Sequence, residues 1–390
     1  MKKYHYFIIT VILAYILMEL SASFGLYVLN KYFDSRYEPA DVLSAKHSDI
    51  IRNLIDQKTN YLSFSPTLGW TIKKHGSSEL YQANSYGIRS DKEYAITPPD
   101  GIRRVSTFGD SFTHCDDVRN NETWQAIMER DDSNIEVLNF GVGGYGLDQA
   151  YLRYLEDGRQ HKPHIVLIGF MSENIYRNVN TYRPFYFPKT GVPLTKPRFV
   201  IKDGELSLIQ NPMKSLDDYK YFLSNAKSIL PKIGENDDYY KYKKYYRSNT
   251  IDFSPTVKIF KLLINGVNNK LENDKIIINN KYNENSDALN VTKKIFDEFY
   301  KSATNNNSLP IIIIFPEKGD VIRYKDKKDK QYSNLLSYFE SKGYRYIDLI
   351  DAFNDMNTED LFKGHYSPLA NKLVAQYILD YLNNMNNPEN

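Results

Sequence analysis

Arg104-Val105-Ser106-Thr107-Phe108-Gly109-Asp110-Ser111 decides how the chain is read. A short strand runs into a small-residue turn, and Ser111 stands at the far end of that turn. The same unit then recurs. Residues 121–130 predict a helix, with Trp124, Ile127 and Met128 at helical spacing. Residues 135–140 form a second strand, followed by a glycine-rich turn and a helix over about 147–160. Residues 164–170 are a continuous apolar run, the pattern of a strand covered on both faces. After an interruption come a helix over 288–303, the apolar strand 310–315, a helix over 331–341, a fifth strand over 344–349 and an amphipathic helix over 368–385. Five alternations of strand and helix predict an α/β fold: a three-layer α/β/α architecture around a five-stranded, mainly parallel sheet. In such sheets ligands bind beyond the carboxyl ends of the strands.

The interruption sets the domain plan. From Tyr176 to about Ser286 the pattern is irregular, with Pro- and aromatic-rich loops over 182–197, a hairpin around Lys202-Asp203-Gly204 and a Tyr/Lys-rich helical segment over 237–247. So long a stretch reads as an inserted subdomain rather than a loop. The expected division is 1–30 as membrane anchor or signal segment, 31–100 as polar helical stalk and lead-in hairpin, 101–175 and 288–390 as the two parts of the main domain, and 176–287 as the insertion.

Lys2 and Lys3 precede an apolar run from about Tyr6 to Leu29, long enough to span a bilayer as a helix. Lysines before the run predict N-terminus in and body out. Glu19 interrupts it, at a cost on the order of 3 kcal/mol that the surrounding Leu, Ile, Val and Phe offset. Ser21-Ala22-Ser23 resembles a cleavage site, so a signal peptide is the alternative to an uncleaved anchor. Both readings place the body outside the cytoplasmic membrane.

A net charge of +2 gives no field for nucleic acid as a partner. The single cysteine, Cys115, excludes an intramolecular disulfide and a thiolate-rich zinc site. Beside His114 it reads as an idle thiol. His161 and His164, ahead of the third strand, read as surface residues and not as metal ligands.

Four motifs fall where strands end. Gly109-Asp110-Ser111 projects a hydroxyl from the rim with its own N–H beside it, or merely caps the next segment. Asn139-Phe140-Gly141-Val142-Gly143-Gly144-Tyr145-Gly146 lets backbone N–H groups approach a ligand. Its Gly-x-Gly-x-x-Gly spacing also fits a dinucleotide site, but it follows the second strand, and the next strand ends in apolar Gly169-Phe170 where a ribose-binding acid belongs. Ser172-Glu173-Asn174 offers an amide that can stabilise an oxyanion. Gly364-His365-Tyr366-Ser367-Pro368 places one histidine before the last helix.

In order and placement these four resemble the blocks of the SGNH (GDSL-like) hydrolase family, over roughly residues 104–174 and 309–382. The resemblance implies a flavodoxin-like fold, no cofactor and no metal. It implies Ser111 as nucleophile and His365 as its general base. Ser111 and Gly144 N–H groups with the Asn174 amide would form the oxyanion hole. The family places Asp three residues before the histidine, where this chain has Phe362; Asp360 is the expected substitute, with Glu359, Asp348, Asp351 and Asp355 as other acids in reach. The usual Asn-Asp pair of the third block is also altered, with Glu173 preceding Asn174.

The implied activity is ester hydrolysis through an acyl-enzyme, on an acylated, and by expectation acetylated, cell-envelope glycan or another small ester. Transfer of the acyl group to a polysaccharide hydroxyl uses the same intermediate. A non-catalytic envelope module of the same fold is the reading from a different class.

Overall fold

Strands β1 (Arg103–Phe108), β2 (Ile135–Asn139), β3 (Ile165–Met171), β4 (Leu309–Phe315) and β5 (Tyr346–Asp348) lie side by side in the order β5-β4-β3-β1-β2, every neighbouring pair parallel. The computed structural model describes residues 2–243 and 246–386. Ahead of the sheet come α1 (Lys2–Phe33) and α2 (Ala45–Ile55). The sheet's first half carries α3 (Trp124–Asp131) and α4 (Leu147–Arg153), and the chain between β3 and β4 carries α5 (Leu216–Gly234), α6 (Pro255–Ile276) and α7 (Asp287–Asn305). Then follow α8 (Lys318–Lys327), α9 (Ser333–Lys342) and α10 (Pro368–Asn386).

The strands are apolar throughout because both faces are covered. Ile312, Ile314, Val166 and Ile168 meet Ala150 of α4, Phe296 and Phe299 of α7, and Phe339 of α9. Ile311, Ile313, Ile165 and Leu167 meet Trp124 and Met128 of α3, Val321 of α8, and Val374 and Ile378 of α10. Successive residues of one strand serve opposite faces, as the pleat requires. The order reverses between β1 and β3, so their carboxyl ends diverge and leave a crevice there. Ser111 follows β1 and Asn174 follows β3, one on each side of it.

The structure departs from the sequence reading in several places, among them the stretch read as irregular, where α5 and α6 are long regular helices. The helix expected over 147–160 is regular only to Arg153; it widens over Tyr154–Gly158, seating the Tyr154 ring 5.4 Å from that of Phe108, and ends at His161. Residues 45–55 are no free stalk: α2 packs on α5 through buried His47, Ile51 and Leu54. His161 is fully buried rather than on the surface, against Phe140 and Tyr86, whereas His164 is exposed and accepts the Arg104 N–H through Nδ1 at 2.9 Å. The helical segment expected over 237–247 is a single turn, Tyr240–Lys243, with residues 244–245 outside those described. The hairpin around Asp203-Gly204 is present, pairing Arg198–Lys202 with Glu205–Ile209.

One buried cation ties the lead-in chain to the sheet. Arg104, fully buried on β1, donates to Glu136 on the neighbouring strand (2.6 and 2.9 Å) and to the carbonyls of Ile96 and His161 (2.9 and 2.8 Å). Arg104→Met keeps the volume but strands those acceptors, so unfolding free energy should fall by about 3 kcal/mol. Denaturant titration against the parent protein measures it; a loss below about 1 kcal/mol would show that the network adds little.

Candidate active site

Ser111 begins a single helical turn, Ser111–His114, that Asp110 caps by accepting the Phe112 N–H at 2.9 Å. The capping role and the projecting serine therefore coexist. Ser111 is largely buried, and among the described residues its hydroxyl makes no hydrogen bond. Asn139 braces the turn from the next strand: its Oδ1 accepts the Gly141 N–H at 2.9 Å and its amide reaches the His114 carbonyl at 3.4 Å.

His365 is brought to this turn, but not by Asp360. Asp117, six residues beyond Ser111, accepts both the imidazole Nδ1–H (2.8 Å) and the backbone N–H (3.1 Å) of His365 through the same Oδ2. Asp360 is exposed and contributes only its carbonyl, to Ser367 Oγ. Glu359 pairs with Lys318, Asp348 with Lys330 and Tyr332, and Asp351 with Tyr324. Asp117 takes a left-handed backbone (φ 72°) and its N–H donates to Tyr81 Oη, which aims the carboxylate across to the last loop. Gly364 makes the approach possible: at φ +87°, its Cβ would lie 2.8 Å from Asp117 Oδ2. The Phe112 ring packs edge-on against the imidazole at 5.4 Å. With Nδ1–H committed to Asp117, Nε2 is the basic nitrogen. No hydrogen bond joins it to Ser111 Oγ in this unliganded state.

The oxyanion-hole candidates share one property. Among the described residues, neither the Ser111 nor the Gly144 backbone N–H donates to another protein group, and both polar atoms of buried Asn174 are unpartnered. The Asn174 amide lies near the Asp110 carboxylate without meeting hydrogen-bond geometry. Buried polar groups are almost always satisfied, so a cluster of free donors marks a place prepared for an acceptor.

Two residues outside the motifs orient the glycine turn. Trp70 Nε1 donates to the Gly143 carbonyl at 3.0 Å, and Arg183 to the Gly144 carbonyl at 2.7 Å. A peptide is planar, with its C=O and N–H on opposite sides, so Trp70 on the Gly143 oxygen directs the Gly144 N–H away from itself. Val192 and Arg183 come from the chain after β3 and border Gly144, and Arg183 continues onto the Phe187 ring. Glu173 pairs with Arg177 behind Asn174; burial pushes its carboxyl up, but Arg177 and Arg183 more than offset this. Glu317, whose carboxylate accepts from Ser172 at 2.9 Å, is pushed up to about 7 by burial and by Glu173 and Asp320.

A second buried relay lies beside the first. Burial and the Arg89 cation push His114 down to about 4, so it is neutral, with Nδ1 on Asp116 (2.5 Å) and Nε2 on Tyr61 Oη (2.6 Å). The sequence reading assigned His114 no role, because its partners Tyr61 and Asp116 carry no local motif. Cys115 itself is buried and its thiol is pushed up to about 12 by that burial, so it is inert.

His114 makes stability pH-dependent. Between about pH 6.5 and 4 the unfolded chain takes up a proton that the folded state refuses, so stability is full above this window and declines as pH falls through it, by on the order of 3 kcal/mol. Buried His161, also pushed down to about 4, acts in the same direction. Thermal unfolding between pH 7 and 4.5 should show the decline, and His114→Gln should flatten it; an unchanged slope in the variant would assign the effect elsewhere.

No family model matches the sequence, and no curated protein matches it. Solved structures do. The chain is similar to a member of the lipolytic protein G-D-S-L family from Veillonella parvula (12% identity, 71% of this chain and 97% of that one, TM-score 0.34). It is similar to an acetyl xylan esterase (14%, 72% and 99%, TM-score 0.37) and to the lipase/acylhydrolase from Enterococcus faecalis (13%, 72% and 95%, TM-score 0.36). The functional reading rests on this chain's own residues.

Proposed function

We propose that the chain is a serine ester hydrolase of the SGNH type, anchored by α1 outside the cytoplasmic membrane and acting on an acylated, in particular an acetylated, envelope glycan. The observation that carries the reading is the set of unpartnered donors at Ser111, Gly144 and Asn174 on the rim that also holds the Asp117-oriented imidazole. An ester carbonyl placed among those donors has its carbon beside Ser111 Oγ. Attack transfers the serine proton to His365 Nε2, charge collects on the carbonyl oxygen, and each donor stabilises it by about 3–4 kcal/mol in the transition state. His365 returns the proton to the leaving alcohol, and water repeats the sequence on the acyl-enzyme. Nucleophile and base in an unliganded site often tighten only when substrate binds.

The glycan rests on other features. Phe187, about two-fifths exposed, carries the Arg183 guanidinium on its ring beside Gly144, and rings of this kind stack on sugar faces. α1 is the one helix among the described residues long and apolar enough to cross a membrane, which puts envelope polymers within reach.

Purified full-length protein should cleave p-nitrophenyl acetate and acetylated glycan and be labelled covalently by a fluorophosphonate, and Ser111→Ala should lose all three. Absence of serine-dependent cleavage on both substrates would leave a binding module instead. Product analysis with an added acceptor glycan separates hydrolysis from transfer.

Asp117→Asn should lower kcat by about 10²–10⁴ while Asp360→Asn stays near the parent value, because only the former holds the imidazole. Equal effects would reassign the orienting acid. Trp70→Phe keeps the ring but releases the Gly143 carbonyl, so kcat should drop about tenfold with KM little changed. A change confined to KM would make Trp70 a substrate contact instead.

A further inference from the structure

α6 presents an apolar stripe that nothing among the described residues covers. Phe260, Leu263, Val267 and Leu271 are 64, 64, 60 and 52% exposed, and Phe253 and Ile251 just ahead of the helix are 76 and 52% exposed. At 100° per residue the four helical positions fall within one narrow sector, so they form a continuous strip about three turns long. Isolated exposed apolar residues are ordinary on soluble proteins, but an aligned set of large ones is not.

The place of the stripe says what covers it. Glu19, inside the apolar run of α1, accepts from Ser254 Oγ at 2.7 Å and from the Thr256 N–H at 3.3 Å. Six residues farther along α1, Gly25 lies against Ile259, with 3.1 Å between its Cβ position and the Ile259 side chain. The contacts advance together on both helices, so α6 starts beside the apolar part of α1 and runs the same way. Phe253 and Phe260 adjoin the α6 residues that make these contacts, so they lie at the level of Glu19 and Gly25, within the apolar part of α1. Any medium that covers these residues of α1 also meets Phe253 and Phe260.

We infer that α6 enters the outer leaflet alongside α1: Phe253, Phe260 and Leu263 insert among the acyl chains, and Val267 and Leu271 follow toward the headgroups. The inference rests on the reading of α1 as a membrane anchor. Lys270 and Lys275 border the far end of the stripe, where their ammonium groups meet the headgroups. The Glu19 contacts fit the same picture, because a carboxylate inside the span is supplied with donors by the element that enters beside it.

The test uses the full-length chain in lipid vesicles. Single cysteines, Phe260→Cys, Leu263→Cys and Val267→Cys, carry an environment-sensitive fluorophore; native Cys115 is 2% exposed and leaves the background low. Lys227→Cys on the exposed side of α5 is the aqueous control, and Leu13→Cys on α1 is the membrane control. With nitroxide-labelled phosphatidylcholine in the vesicles, probes at 260 and 263 should be quenched at least about twofold, as at position 13, with position 267 quenched less and position 227 unaffected. Quenching at 13 but at none of the α6 positions would overturn the inference and leave the anchor intact. No quenching at 13 would overturn the anchor and the inference with it. Unquenched α6 positions that form a 263–263 disulfide on oxidation would assign the stripe to a second copy of the chain, which also overturns it.

Discussion

A single carboxylate oxygen joins the two ends of the sheet domain. Asp117 Oδ2 takes the backbone N–H and the imidazole Nδ1–H of His365 from 248 residues away. The two bonds fix the loop and the ring together, so the imidazole cannot rotate without breaking the loop's own anchor. Asp117 lies in the loop that follows the Ser111 turn, so Ser111 and His365 share one short stretch of chain as their reference. The strands then need only bring the β1 loop and the pre-α10 loop to the same rim. Parallel packing with β4 between β3 and β5 does this, because every strand ends on one side.

How much of this was legible follows from which distances the sequence encodes. The five strands were readable because continuous apolar runs such as Ile311 to Phe315 arise where both faces are buried, and that is a local property. Ser111, Gly144 and Asn174 stood out because each follows a sheet strand within its own local motif, and His365 because its motif directly precedes the last helix. Asp117 was not. The family pattern puts the acid three residues before the histidine, where Phe362 stands here; Asp360 was the nearest substitute, and no local pattern connects residue 117 with residue 365. The one available signal was the acidic pair Asp116-Asp117 directly after the serine turn. Trp70 and Arg183 were missed for the same reason, since their partners are backbone carbonyls that any sequence provides. The burial of His161 was missed because Lys162-Pro163 beside it read as surface chain, while Phe140 and Tyr86 close over it from elsewhere.

The unpartnered donors set a cost against the core. Each buried polar group left without a partner costs about 1–3 kcal/mol, and here Asn174 contributes two such atoms beside two free N–H groups. Several neighbouring groups are already engaged. The Gly143 and Gly144 carbonyls are occupied by Trp70 and Arg183, Asn139 by the glycine turn, and the Glu173 carboxylate by Arg177. Rigidity at the site is thus obtained from hydrogen bonds one layer behind it, which is why the residues that supply them lie outside every motif.

The chain between β3 and β4 reaches both the site and α1. Its early part sets Arg183 and Val192 against Gly144, and its later part sets Ser254 and Ile259 against Glu19 and Gly25. Between α1 and α2 the chain is bound to the same segment: Tyr37 donates to Asp252, the Ala40 N–H to the Tyr246 carbonyl, and Ser248 to Asp41. A tether that only held the body to a membrane would need none of these bonds, and the linker after α1 would be free to swing. Bonds on both sides of the linker remove that freedom. The orientation of the rim relative to α1 is therefore set by packing, and an insertion that touches both is the element able to set it.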